Sequence, residues 1–148
     1  MFKETSKELL DFLSKSPTAF HAVENYRQIL NADGFKELLE SEHWDIVPGG
    51  KYYVTRNNTS ILAFKVGTKL DNYSFNIVTS HTDSPTFKVK ENAEIEVKNK
   101  YTQLNTEGYG GMLCATWLDR PLSIAGRVLV SEGNSIVTKL LNIDRDLL

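Results

Sequence analysis

The hydrophobic pattern of the chain changes near residue 50, and this change limits the folds that its 148 residues can adopt. Before residue 50, apolar residues recur three and four positions apart, which is the spacing of an amphipathic helix. After it, short apolar runs alternate with polar residues and are separated by turn-forming residues, which is typical of strands. Because helices come first and strands follow, the sequence predicts an α/β or α+β chain.

Three helical segments are expected before the change. Residues 4–14 form the first, and Pro17 separates it from the next because proline disfavours helical geometry in the residue before it. The second covers residues 18–32, and Gly34 is placed as its C-terminal stop. A short third helix is predicted over residues 35–41.

Strands are expected over the rest of the chain. Residues 51–67 form two strands joined at Asn57-Asn58, because asparagine tolerates the positive φ of a tight hairpin turn. The apolar run at residues 74–80 predicts another strand. Further strands are expected on both sides of turns at residues 91–93 and 132–134.

The charge and cysteine content exclude several classes of function. The 17 basic and 19 acidic residues leave a net charge of −2, and no segment concentrates the basic ones, so no nucleic-acid partner is expected. No apolar run approaches the roughly 18 residues that a membrane span requires, so no membrane partner is expected either. The single cysteine, Cys114, excludes an internal disulfide and favours a reducing, cytoplasmic location.

The polar residues that follow the predicted strand at 74–80 indicate a functional site. Side chains alternate faces along a strand, so His81 and Asp83 are expected to point the same way. In a metal site, His81 would bind the ion through one ring nitrogen while the carboxylate orients the ring. In a nucleophilic site His81 would be a general base, but the sequence has no G-x-S-x-G motif and Cys114 has no electropositive sequence neighbour. A third interpretation is a histidine that only forms hydrogen bonds where the strand ends.

Four stretches resemble signature segments of the M18 family of metallo-aminopeptidases, the relatives of aspartyl aminopeptidase. They are SPTAFHAVEN at 16–25, HWDIVPGGKYYVTRNNTSILAFKVG at 43–67, SHTDSPTFKVK at 80–90 and NTEGYGGMLCATWLDRPLSIAGRVLV at 105–130. The stretches occur in the order that the family shows and together cover nearly the whole chain. The sequence therefore resembles roughly the first third of a family member.

The resemblance implies how the chain is organised. Residues 1–94 would be the N-terminal part of the peptidase catalytic domain, with helices followed by a mixed sheet. Residues 95–148 would be the start of the β-rich dimerisation domain that the family inserts into the catalytic domain, and this domain would be incomplete here. Family members form large homo-oligomers, so a homo-oligomer is expected for the full-length form.

The resemblance also implies an activity. Enzymes of this family are cytosolic, bind two divalent metal ions, usually zinc, and remove N-terminal residues, often acidic ones, from peptides. In that scheme His81 would be a ligand of one metal ion, and Asp83 would be a catalytic residue that orients the imidazole. The metal pair would polarise the scissile carbonyl and activate the attacking water.

The chain departs from the family pattern in its ligand set. The family supplies the bridging aspartate, a Glu-Glu pair with the general base, and the last histidine from later sequence, and no Glu-Glu pair occurs in these 148 residues. The chain alone is therefore expected to be inactive as a peptidase. The alternative hypothesis is a non-catalytic binding or assembly module derived from the aminopeptidase.

Four other residues are candidates with simpler interpretations. Asp119 is a candidate second ligand, although a hydrogen bond with its neighbour at a domain junction is favoured. His21 is expected to be a partly buried helical histidine rather than a residue that contacts substrate. His43 is expected at the surface, and Cys114 is expected to be a small core residue.

Overall fold

The computed structural model describes residues 2–72, 74–143 and 145. The described residues divide into two compact units. The first contains the chain up to Asp83 together with residues 124–143, and the second contains residues 84–123 and Arg145. Helices followed by mixed strands confirm the predicted α/β class. The predicted domain boundary after residue 94 concerns the domains of complete family members and stays a prediction.

Two helices begin the first unit, as the apolar spacing predicts. Helix α1 is Phe2–Ser14 and helix α2 is Ala19–Ala32. Thr18 caps α2, because its side-chain oxygen accepts a hydrogen bond from the backbone N–H of His21 at 3.4 Å. Gly34 ends the helix with a φ of +78°, a left-handed conformation that glycine adopts without steric cost. The predicted second helix and its stop are therefore confirmed.

A three-stranded mixed sheet follows the helices. Strand β1 is Lys36–Glu37, β2 is Lys51–Arg56 and β3 is Ser60–Lys65. Strand β2 lies in the middle, parallel to β1 and antiparallel to β3. The turn between β2 and β3 has Asn57 and Asn58 at a φ of 55° each, so the predicted hairpin is confirmed.

The predicted third helix over residues 35–41 is wrong. The chain reverses at the end of α2, where the N–H of Phe35 donates to the carbonyl of Leu30 at 2.9 Å. It then runs beside β2, and the N–H of Leu38 donates to the carbonyl of Tyr53 at 2.8 Å. Pairing with a long-range partner therefore replaces the local helix.

The core is formed by residues of α2 and β2. The buried residues among those described are few: Ala22, Val23, Tyr52 and Tyr53. Neighbouring side chains on a strand point to opposite faces, so the two buried tyrosines show that both faces of β2 are covered. The hydroxyl of Tyr53 donates to Oδ1 of Asn31 on α2 at 3.0 Å, and the hydroxyl of Tyr52 accepts from the N–H of Val47 at 3.1 Å.

The apolar run at residues 74–80 is not a strand, so that prediction is wrong. Phe75, Ile77 and Val78 are 78%, 76% and 97% exposed. A strand requires backbone partners on a neighbouring segment, and no strand in the described part of the chain pairs with this run. Apolar, β-prone composition alone does not produce a strand.

The second unit contains one long hairpin and a short helix. Strand β4 is Thr86–Val97, β5 is Tyr101–Tyr109 and α3 is Ala115–Leu118. The rings of Phe87 and Trp117 meet edge to face at 5.5 Å between centroids. None of the buried residues belongs to this unit, within the described residues.

The turn predicted at residues 91–93 is wrong, because β4 continues through it. The pairing register shifts between Val89 and Glu94, so the chain bulges there. The side-chain amide of Asn105 donates to the carbonyl of Asn92 at 2.9 Å and satisfies a backbone group in the bulge. The hairpin instead turns after Val97, where Lys98 and the residue after it have φ values of 51° and 53°.

A second hairpin completes the first unit. Strand β6 is Ala125–Glu132 and β7 is Ser135–Asn142, and Gly133 has a φ of +61° in the turn between them. The predicted turn at residues 132–134 is therefore confirmed. The guanidinium carbon of Arg127 lies 4.4 Å from the ring centroid of Phe20 on α2.

Candidate metal-binding site

The structure brings His81 and Asp83 together, directly after the exposed run at residues 74–80. Nδ1 of His81 lies 2.7 Å from the backbone oxygen of Asp83 and 3.3 Å from its Oδ1. A carbonyl oxygen only accepts hydrogen bonds, so Nδ1 carries the proton in this arrangement. In the neutral imidazole, Nε2 then has the lone pair that a metal ion requires.

This arrangement fits one ligand of a zinc site together with its orienting group. Metal-binding histidines commonly donate their other ring N–H to a carboxylate or a backbone carbonyl, and Asp83 offers both kinds of acceptor. The side chain of His81 is 79% exposed, so its ring is accessible from solvent. The contact between the His81 ring and the Asp83 carboxylate contributes little to stability, because both side chains are largely exposed to water.

The described residues do not supply a complete metal site. No group of three or more His, Cys, Asp or Glu side chains among them lies in an arrangement that could hold an ion. A catalytic zinc ion usually has three protein ligands, so further ligands are required beside His81. The roles of His81 as metal ligand and Asp83 as catalytic residue stay predictions.

The other two histidines, His21 and His43, contact other residues. Nδ1 of His21 lies 2.8 Å from the Thr18 hydroxyl, and burial lowers the pKa of His21 below its ordinary value. This agrees with a partly buried, hydrogen-bonded histidine. His43 is 92% exposed and lies 3.8 Å from Oδ1 of Asp45, so its predicted surface position is confirmed.

The two candidates in the second unit have different outcomes. Oδ1 of Asp119 lies 3.4 Å from Nε of its neighbour Arg120, which is the hydrogen bond that the sequence favours over a metal ligand. Cys114 is exposed, so the prediction of a small core residue is wrong. The physical reason is that this unit has no buried interior in its described residues for a cysteine to occupy.

Sequence reasoning missed one residue of the site. The hydroxyl of Thr82 donates to the carbonyl of Thr59, at the end of the β2–β3 turn, with an oxygen–oxygen distance of 2.6 Å. Residues 81–83 do not form a strand in the structure, but the alternation expected of a strand offered a signal, because it turns Thr82 away from its two neighbours. Only the structure shows which group it meets there.

No helix among the described residues combines the length and the apolarity that crossing a membrane requires.

Comparison with known proteins identifies the family of the chain. Residues 12–148 match the family model described as aminopeptidase I zinc metalloprotease (M18). The chain therefore belongs to the M18 family of aminopeptidases, as the four sequence stretches predict.

Two curated relatives show how much of such a protein the chain represents. A probable M18 family aminopeptidase 2 of Clostridium novyi is 49% identical over 146 residues, which are 97% of this chain and 34% of the relative. An aspartyl aminopeptidase of Dictyostelium discoideum is 45% identical over 145 residues, which are 97% of this chain and 30% of the relative. The chain spans about a third of the length of these relatives.

Solved structures confirm the fold. The chain is similar to Ape4 in its cryo-EM complex with Nbr1, with a TM-score of 0.93 and 41% identity over 98% of this chain and 28% of that one. It is also similar to the S. cerevisiae mApe1 dodecamer, with a TM-score of 0.83 and 31% identity over 97% of this chain and 34% of that one. The arrangement described above therefore matches the N-terminal portion of known aminopeptidases.

Proposed function

We propose that this chain serves a zinc-dependent aminopeptidase, in which His81 is one metal ligand and Asp83 orients its ring. The observation that carries the proposal is the His81 Nδ1–H held by Asp83 within a chain that belongs to the M18 family. The name of the family model, a zinc metalloprotease, supports zinc as the metal.

The chain's own residues have limited roles in this mechanism. Bound zinc would supply a Lewis acid that polarises the scissile carbonyl and makes a bound water easier to deprotonate. His81 would hold the ion through Nε2. Asp83 would keep the Nδ1 proton in place and fix the ring orientation, which strengthens the ligand. A second divalent ion, implied by the resemblance, would need ligands from other residues.

The remaining ligands and the general base would come from polypeptide that corresponds to the two thirds of the relatives that this chain does not span. The exposed run at residues 74–80 supports this idea, because Ile77 and Val78 are 76% and 97% exposed and the run pairs with no strand among the described residues. The chain alone is therefore expected to be inactive, since removing catalytic groups that act as a unit costs orders of magnitude in rate.

Substrate, location and assembly follow the family in this proposal. N-terminal residues of peptides, with acidic ones preferred, would be the substrate, and the name of the similar Dictyostelium discoideum protein, an aspartyl aminopeptidase, supports this preference. The cytoplasm would be the location. A homo-oligomer is supported by the dodecamer of S. cerevisiae mApe1. Residues 1–94 would belong to the catalytic domain and 95–148 to the inserted dimerisation domain.

A non-catalytic assembly module is the second candidate, and the β4–β5 hairpin favours it. This two-stranded sheet has no further strand on either edge within the described residues. Unpaired strand edges are templates for pairing with another chain. An isolated two-stranded hairpin is also only marginally stable in water, so pairing would stabilise it.

A chimera separates the two candidates. In it, this chain replaces the matching third of the Clostridium novyi relative, and turnover is measured with aspartyl and leucyl peptide substrates in the presence of zinc. The proposal predicts turnover by the chimera and none by the 148-residue chain alone. His81→Ala should abolish turnover, whereas the exposed His43→Ala should leave it unchanged. A folded chimera that is inactive, or that is indifferent to His81→Ala, would contradict the catalytic proposal.

A further inference from the structure

Residues from the four stretches that resemble the family meet at one place, the turn of residues 57–59, here called the hairpin turn. Thr82, from the stretch that contains His81, donates to the carbonyl of Thr59 at 2.6 Å. Arg127, from the last stretch, donates through Nη1 to the carbonyl of Asn57 at 3.4 Å. The guanidinium of Arg127 also lies over the ring of Phe20, from the first stretch, at 4.4 Å.

The hairpin turn has a fixed conformation. Asn57 and Asn58 both have a φ of 55°, in the left-handed region that asparagine adopts more readily than most residues. The N–H of Thr59 donates to the carbonyl of Arg56 at 3.1 Å and closes the turn. The carbonyls of the turn therefore point in defined directions, and Arg127 holds one of them from the side of β6.

The hydrogen bond of Thr82 connects the metal-ligand segment to this fixed turn. It joins residues 23 positions apart and is partly buried. By contrast, the hydrogen bond between His81 and Asp83 spans only two residues and does not tie either to the sheet. The preceding run at 74–80 is exposed and belongs to no strand, so it provides little restraint on His81.

We propose that Thr82 is a positioning residue for the metal site, because its hydroxyl anchors the segment 81–83 to the hairpin turn. Arg127 donates a second hydrogen bond to this turn, and its guanidinium packs on the ring of Phe20. The inference rests on the proposed role of His81 as a metal ligand. Thr82 would not be a ligand of the ion, because its hydroxyl is engaged by the carbonyl of Thr59. It acts by limiting the positions that the His81 ring can take, and a ligand held in place binds metal more tightly than a mobile one.

The test uses the 148-residue chain, labelled with 15N, and three variants. Thr82→Val removes the hydroxyl while keeping the shape of the side chain, and Thr82→Ser keeps the hydroxyl. Thr86→Val is the matched control, because the hydroxyl of Thr86 donates only to the neighbouring carbonyl of Phe87 at 3.4 Å among the hydrogen bonds described. Hydrogen exchange of the β2–β3 amides checks that every variant keeps its fold.

The first readout needs no metal. Backbone order parameters of residues 81–83 should fall in Thr82→Val and keep the wild-type values in Thr82→Ser and Thr86→Val. Rescue by serine separates a role of the hydroxyl from a general packing effect. Wild-type order parameters in Thr82→Val would overturn the proposal.

The second readout uses Co²⁺ as a paramagnetic probe. Co²⁺ bound at His81 should broaden the amides of the hairpin turn in the wild-type chain, and His81→Ala should remove this effect. In Thr82→Val the broadening of the turn should fall several-fold, because the ion is no longer held beside it. Equal broadening in Thr82→Val and the wild type would overturn the positioning role.

Failure of the proposed function gives a different pattern. If Co²⁺ broadens the amides next to His81 equally in the wild-type chain and in His81→Ala, His81 does not bind the ion and the metal-ligand role is wrong. The order parameters still decide whether Thr82 anchors the segment.

Arg127→Met tests the hydrogen bond between Arg127 and the hairpin turn. It should lower the order parameters of residues 81–83 less than Thr82→Val does, because Arg127 acts on them only through the turn. A larger effect than that of Thr82→Val would contradict the direct link.

Discussion

The β2–β3 hairpin and the run at residues 74–80 have similar composition but different structures. Both are rich in β-branched and aromatic residues, yet only the hairpin forms strands. Tyr53 in the hairpin is 1% exposed, whereas Val78 in the run is 97% exposed. The hairpin finds its partners nearby, in a neighbouring strand and in α2. The comparison shows that the strand state depends on available partners as well as on composition.

The largest loss of stability is expected from a substitution in the buried β2–β3 hairpin. Tyr53→Ala should lower the free energy of unfolding by about 3–5 kcal/mol, because it leaves a cavity and removes the hydrogen bond to Asn31. Urea unfolding followed by circular dichroism measures this loss. Tyr53→Phe is the control and should cost about 0.5–1.5 kcal/mol, since only the hydroxyl and its hydrogen bonding to Asn31 and Glu37 are lost. A Tyr53→Ala variant with the wild-type midpoint would show that the core lies elsewhere.

Gly50→Ala should have the next largest effect. A Cβ at this position would lie 2.7 Å from Cζ of the buried Tyr52 ring, whose hydroxyl also bonds to the N–H of Val47. Moving this ring disturbs the core, so we expect a loss of about 1–3 kcal/mol in urea unfolding. Gly126→Ala is the matched control, because a Cβ there meets no atom within 4 Å. Equal midpoints for the two variants would contradict the close packing described here.

A smaller effect is expected from pH. Burial lowers the pKa of His21 below its ordinary value of 6.5, so the folded chain binds a proton less readily than the unfolded chain. Stability should therefore be complete above pH 6.5 and fall as the pH drops through the lower pKa of the folded state. Urea midpoints between neutral and acidic pH measure this slope. His21→Gln should reduce it, and His43→Gln should not; an unchanged slope in His21→Gln would exclude His21 as its source.

The smallest effect is expected at Val78 in the chain alone. Val78→Ser should change the unfolding free energy by less than about 0.5 kcal/mol, because the side chain is already in water. In the chimera with the Clostridium novyi relative, the same substitution should cost about 1–3 kcal/mol if a further strand covers the run. Urea unfolding of both pairs of proteins gives the comparison. The same small effect in both would mean that the run stays exposed.

Local signals made most of the first unit predictable from sequence. Asn57-Asn58 and Gly34 show where the chain turns, since few residues accept a positive φ. The failures at 35–41 and 74–80 have one cause, namely that the outcome depends on a distant partner that spacing does not reveal. Similarly, the closeness of His81 and Asp83, two positions apart, could be predicted, whereas the bond from Thr82 to Thr59 depends on how distant segments meet.

The cysteine and the bulge failed for related reasons. Cys114 is small and apolar, but a residue is buried only where the surrounding unit has an interior. The Asn92 region has turn-forming composition, yet the strand continues because Asn105 on the opposite strand bonds to the bulged backbone. In both cases the neighbouring segments, not the local residue types, determine the structure.

The most direct test of the central claim is the zinc content of the chimera. Zinc per subunit is measured after dialysis for the wild-type chimera, His81→Ala and the surface control His43→Ala, together with the hydrodynamic radius of each. We predict that His81→Ala loses zinc while keeping the radius, and that His43→Ala matches the wild type. Full zinc content in a folded His81→Ala chimera would show that His81 is not a metal ligand.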